Sequence, residues 1–126
     1  MSNLNTNFNP ASGEYGSTVG VLGDVAEDNG APSAMGDGVT CDGWARAILT
    51  IEVVEGTSIL FEVYKLHRAA GTWHKDTTVG DVTVAADAST YKVIDCGGWG
   101  RIYIRAKTFT GEAEGTAWIS LSNDRP

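Results

Sequence analysis

The chain has 126 residues, a formal net charge of −7, 42% hydrophobic residues and two cysteines. That length fits one compact domain, and the apolar share excludes a disordered chain. No apolar run is long enough to span a bilayer, the acidic balance excludes a general nucleic-acid binder, and two cysteines are too few for a disulfide scaffold.

The charge is uneven along the chain. Residues 1–45 contain Glu14, Asp24, Glu27, Asp28, Asp37 and Asp42 and no Lys or Arg, whereas all nine Lys and Arg follow with the other ten acids. Gly, Asn and Ser also cluster in this third. The first twenty residues lack a basic start and an apolar stretch, so no secretory signal is expected. Residues 1–35 therefore read as an acidic arm with a weak first strand, and 36–126 as the folded domain. The arm either lies on a basic protein surface or is a solvated leader.

Residues 18–25 of the arm are a weak strand candidate, and 39–41, beyond it, another. From residue 46 the pattern has period two, with Ala47, Leu49, Ile51 and Val53 on one face and Arg46, Ile48, Thr50 and Glu52 on the other. Glu55-Gly56-Thr57 breaks it. A second run places Ile59, Phe61 and Val63 opposite Leu60, Glu62 and Tyr64, and the two runs read as an antiparallel hairpin. Residues 67–76 read as a polar connector. Residues 79–85 and 90–95 are two further strands, and 101–109 with 116–122 form a last hairpin around 111–115. Helix content should be low. Short strands with one apolar face each need a second sheet to cover that face, so an all-β antiparallel sandwich is expected, jelly-roll-like or a Greek key.

The chain repeats itself weakly. Cys41-Asp42-Gly43-Trp44-Ala45-Arg46 matches Cys96-Gly97-Gly98-Trp99-Gly100-Arg101 at an offset of 55, and a period-two strand follows both. Ala47, Leu49 and Ile51 then match Ile102, Ile104 and Ala106. After the turns, Ile59, Phe61 and Val63 match Ala117, Ile119 and Leu121. Two halves related by a pseudo-twofold are the expected meaning, since solenoids need three repeats or more. Gly43 and Gly98 relax the backbone before Trp44 and Trp99. These tryptophans are read as structural corners in preference to sugar-stacking platforms. The cysteines are expected as reduced, partly buried thiols.

Candidate chemistry is sparse. No Walker loop, nucleophile elbow or zinc-protease motif is present, and no cofactor is expected. His67 and His74 share one connector and lack metal-site spacing. Asp24, Glu27, Asp28 and Asn29 lack the alternation of a calcium loop. What remains is the nominally outward set Ile48, Leu60, Tyr64, Tyr103, Phe109 and Trp118, which is too apolar for a face that meets only water. It is the candidate partner or oligomer interface, with the N-terminal segment of this chain or of a neighbour as a candidate cover.

The strand starts Gly43-Trp44-Ala45-Arg46 and Gly98-Trp99-Gly100-Arg101, with the tail Asn123-Asp124-Arg125-Pro126, resemble small β-sandwich virion proteins of tailed bacteriophages over residues 39–126. The resemblance implies a non-enzymatic capsid decoration or cement protein on the outer capsid surface, assembled in the host cytoplasm. Its partner would be the major capsid protein, and it would be a homo-oligomer, a trimer among the options, without nucleic acid or membrane. A head–tail or tail component on the same sandwich is the neighbouring reading. A carbohydrate-binding jelly roll using Trp44, Trp73 or Trp99 is the alternative from another class, and a small β-sandwich hydrolase is a third.

Overall fold

The computed structural model describes residues 18–67 and 69–122. The first seventeen residues of the arm and the 123–126 tail lie outside the described residues. Every regular element among those described is a β-strand: β1 (Thr18–Val25), β2 (Val39–Thr40), β3 (Arg46–Glu55), β4 (Ser58–His67), β5 (Thr72–Lys75), β6 (Val82–Ala85), β7 (Ala88–Asp95), β8 (Arg101–Thr110) and β9 (Glu114–Ser122). They form a four-stranded sheet, β1-β9-β3-β7, and a five-stranded sheet, β2-β8-β4-β5, in which β6 also pairs with β4. All pairings are antiparallel. The chain is therefore an all-β sandwich, as its alternation predicts.

The inward positions are those expected. Ala47, Leu49, Ile51, Val53, Ile59, Phe61, Val63, Ile102, Ile104, Ala106, Ala117, Ile119 and Leu121 are all buried in one core. Leu22 and Val25 of β1 join it, so the segment before residue 36 supplies part of the sandwich interior.

The strand partners differ from expectation. β3 and β4 do not form a hairpin, nor do β8 and β9. β3 pairs with β9 and β4 with β8, so each expected hairpin is an arch that carries the chain from one sheet to the other. Gly56 and Gly111 turn these arches at φ +79° and +71°. The arches touch: Thr57 N donates to Thr110 O at 2.9 Å. A Cβ on Gly56 would collide with the Ala113 backbone, and one on Gly111 with the Thr57 side chain. Period-two alternation specifies which face of a strand is apolar, and both a hairpin and an arch satisfy it.

The arches expose the repeat as a true pseudo-twofold. Exchanging β3 with β8 and β4 with β9 turns the order β1-β9-β3-β7 into β5/β6-β4-β8-β2. The register corrects the match in the second strands: Ala47 opposes Leu121 and its equivalent Ile102 opposes Lys65, so Lys65, Val63 and Phe61 correspond to Leu121, Ile119 and Ala117. The sequence match is displaced by one pleat, which keeps every residue on its face.

Two further corrections concern local structure. The connector at 67–76 contains β5, which folds back on Tyr64–His67 of β4. In β8, Leu60 opposes Thr108 while Phe61 opposes Ala106, so Lys107 is an extra residue, a bulge. Beyond it the inside–outside phase reverses. Phe109 comes opposite Ile59 and packs against the core instead of facing outward.

Candidate functional site

The outward side chains of β8 are Arg101, Tyr103 and Arg105, and each grips residues 26–38, a strap between β1 and β2. Arg105 clasps the Asp28 carboxylate in bidentate fashion, Nε to Oδ1 at 2.9 Å and Nη2 to Oδ2 at 2.7 Å. Arg101 donates to the carbonyls of Gly36, Asp37 and Gly38. Tyr103, expected on an open face, is 0% exposed. Its hydroxyl donates to Gly30 O at 2.9 Å and accepts from Asn29 Nδ2 at 3.1 Å. Tyr64 and Trp73 meet the Tyr103 ring edge-on, at centroid distances of 6.5 and 6.1 Å. Trp73 Nε1 donates to Ala34 O at 2.9 Å.

Asn29 completes the strap. β2 has two residues and pairs only with Arg101 and Ile102, which leaves the backbone edge of β8 open further along. The Asn29 amide fills that gap, donating to Ile104 O at 3.1 Å and accepting from Ala106 N at 2.8 Å. Its side chain thus replaces one residue of a missing strand. Two members of the acidic cluster at 24–29 are engaged within the chain: Asp28 and Asn29 bind β8. Among the described residues no group of three or more His, Cys, Asp or Glu could hold a metal ion.

Beside the strap, Glu62 is buried on the outer face of β4. Burial pushes its carboxyl up, but hydrogen bonds from Lys75 and Tyr64 outweigh that and hold it below the usual range. Lys75 Nζ lies 2.9 Å from Glu62 Oε2, and Tyr64 Oη donates to Oε1 at 2.8 Å. The Arg105 guanidinium likewise lowers Asp28. Leu60 sits half-buried on this face between Thr83 and Thr108.

The other outer face is different. On the four-stranded sheet Trp118 opposes Thr50, which opposes Tyr91; in the adjoining row Ser120 opposes Ile48, which opposes Val93. Directly opposed residues on one face have Cβ atoms about 5 Å apart. Trp118, Ile48, Tyr91 and Val93 therefore form one patch. Tyr91 and Val93 are 67% and 52% exposed, while Ile48 and Trp118 are half-buried. Of the six expected interface residues, this face brings together only Ile48 and Trp118. Tyr91 and Val93 escaped the sequence reading, although Ile94, inward between Val93 and Asp95, already set the phase of that strand.

Gly43-Trp44 and Gly98-Trp99, read from the sequence as structural corners, lie in the turns that lead into β3 and β8. Gly43 and Gly98 adopt φ +87° and +84°, with Trp44 N donating to Cys41 O and Trp99 N to Cys96 O. These are matching tight turns in which glycine supplies the positive φ. Both tryptophans pack against the core. Trp99 also carries Lys65 over its ring at 5.0 Å and meets His67 and His74 at 6.0 and 5.9 Å. Lys65, largely buried, pairs with Asp76 at 3.1 Å and donates to Asp95 O. The chain matches no protein-family model, no curated protein and no solved structure.

Proposed function

We propose that this chain is a non-enzymatic structural protein of a tailed-phage virion, a decoration or cement protein that docks on the major capsid protein through the outer face of its four-stranded sheet. The observation that carries this reading is the asymmetry between the outer faces. One is sealed by the chain's own strap. The other leaves Trp118, Ile48, Tyr91 and Val93 side by side. Fully burying a large apolar side chain contributes about 1.5–3 kcal/mol, so such a patch can hold a partner with a few anchors. Copies on a symmetric shell, or joined as a homo-oligomer, convert modest contacts into avidity. The choice of the major capsid protein as partner rests on the sequence resemblance over residues 39–126.

The sugar-stacking reading is less well supported, because Trp73 and Trp99 are engaged within the chain, on Ala34 O and Lys65. The test is co-sedimentation with capsid shells assembled without this protein. The double variant Tyr91→Lys/Val93→Lys should lower occupancy about tenfold or more, with an unchanged circular-dichroism spectrum. Undiminished occupancy would overturn the proposed docking face.

A further inference from the structure

The pseudo-twofold brings the two cysteines together. Cys41 N donates to Gly100 O at 2.9 Å, and Cys96 N donates to Ala45 O at 3.0 Å. Under the offset of 55 these bonds are images of one another, so the local axis passes between Cys41 and Cys96. Both are free thiols buried in one core, 0% and 1% exposed; Cys41 Sγ donates to Trp99 O at 3.6 Å, Cys96 Sγ donates to Ile94 O at 3.8 Å, and Trp99 N in turn donates to Cys96 O. The sequence reading takes them as reduced, partly buried thiols that act as small hydrophobes. A small hydrophobe has no need of a second thiol on the symmetry axis, whereas a disulfide needs two thiols so placed. Thiols held on adjoining turns across such an axis can reach an S–S length of about 2.05 Å by side-chain rotation.

We propose that Cys41 and Cys96 form a reversible redox site, closing to an intramolecular disulfide when a small-molecule disulfide such as oxidised glutathione is the electron acceptor. Cys41 is the attacking thiol. Its interaction with Cys96 holds the Cys41 thiol below the ordinary thiol range against the opposing effect of burial, and Lys65 and Arg101 add positive charge nearby. The interaction with Cys41 and burial both push the Cys96 thiol up, so it remains protonated. Access comes through β2, whose two residues pair only with Arg101 and Ile102 and are the shortest ladder in the sandwich. Short ladders open locally long before the whole fold does.

The steps balance. The Cys41 thiolate attacks one sulfur of oxidised glutathione and expels a glutathione thiolate, leaving a mixed disulfide. Cys96 then loses its proton and attacks the Cys41 sulfur, expelling the second glutathione, and both glutathione thiolates take up protons. Two protein thiols are oxidised and one glutathione disulfide is reduced to two thiols. The bond encloses β3 to β7, a long loop, so its principal effect is on the unfolded chain. This inference is independent of the proposed docking face.

The native protein is incubated with oxidised glutathione, alkylated after denaturation, and read by intact mass, peptide mapping and thermal unfolding. The expected result is loss of both alkylatable thiols with no glutathione retained, a Cys41–Cys96 cross-linked peptide, and a Tm raised by about 10 °C or more. Dithiothreitol should reverse all three. Cys96→Ser should stop at a glutathione adduct on Cys41 without the rise in Tm. Two alkylatable thiols after incubation of the wild type, a stable glutathione adduct on it, or a lowered Tm on cross-linking would each overturn the proposal.

Discussion

On the five-stranded sheet, Tyr64, Trp73 and Tyr103 lie beneath or beside a strap of the same chain, while on the four-stranded sheet Tyr91 and Val93 stand open beside Trp118 and Ile48. Both faces carry aromatic residues at outward strand positions, and only one has its cover within the described chain. Apolar outward positions therefore mark a contact surface without saying whose. For Tyr103 the contact is intramolecular, and the charge asymmetry of the sequence has the same resolution. Asp28 of the acidic third meets Arg105 of the more basic remainder, and the backbone carbonyls at 36–38 meet Arg101.

The comparison can be broken most severely at Tyr103. Tyr103→Ala removes a fully buried ring along with its contacts to Tyr64, Trp73 and the strap, and should cost about 3–5 kcal/mol of unfolding free energy in a urea titration. A cost below that of an ordinary surface change would mean the strap does not seal this face. Asn29→Ala should cost roughly 1–3 kcal/mol, because it strips partners from Ile104 O and Ala106 N at the open edge of β8. Hydrogen exchange at Ala106 should accelerate in that variant more than exchange at Ile51 in the opposite sheet.

Acid should separate the faces next. Asp28 and Glu62 have folded-state values lowered from 3.8 and 4.5. Their stabilising contribution is present in full above those ordinary values and is lost as pH falls through the lowered ones. Trp73 emission should shift below about pH 4 as the strap loosens, before the far-ultraviolet signal collapses. Simultaneous loss of both signals would assign the acid transition to the whole sandwich. The smallest effect belongs to the open face: Tyr91→Ala should change unfolding free energy by no more than about 0.5 kcal/mol. A large loss there would mean that Tyr91 is structural, which would remove an anchor from the proposed docking patch.

Much of the fold was legible because alternation reports burial directly. Leu49, Ile104 and Ile119 are core residues for the reason their spacing indicates. The partners of those strands were not legible, since a two- or three-residue break at Gly56 or Gly111 suits a hairpin as well as an arch. Phe109 misled because one extra residue, Lys107, reverses the phase of everything after it, and a bulge leaves no mark in a period-two count. The strap was invisible for a different cause. Asn29 acts through a single side-chain amide that mimics a strand, and no periodicity announces one residue. The open patch was half legible: Ile48 and Trp118 follow from alternation, whereas joining them to Tyr91 and Val93 required knowing that β7 lies beside β3.

The interlocked arches also govern when this chain can fold. The central strands β3 and β4 emerge early, but their longest ladders are with β9 and β8 at the other end of the sequence. A growing chain that has completed β7 has no partner for one full edge of either strand. Such non-local pairing is slow to form, and it leaves Leu49 and Phe61 under incomplete sheets until the final strands arrive. Synthesis of the last quarter of the chain is thus the event that commits the first three quarters to their structure.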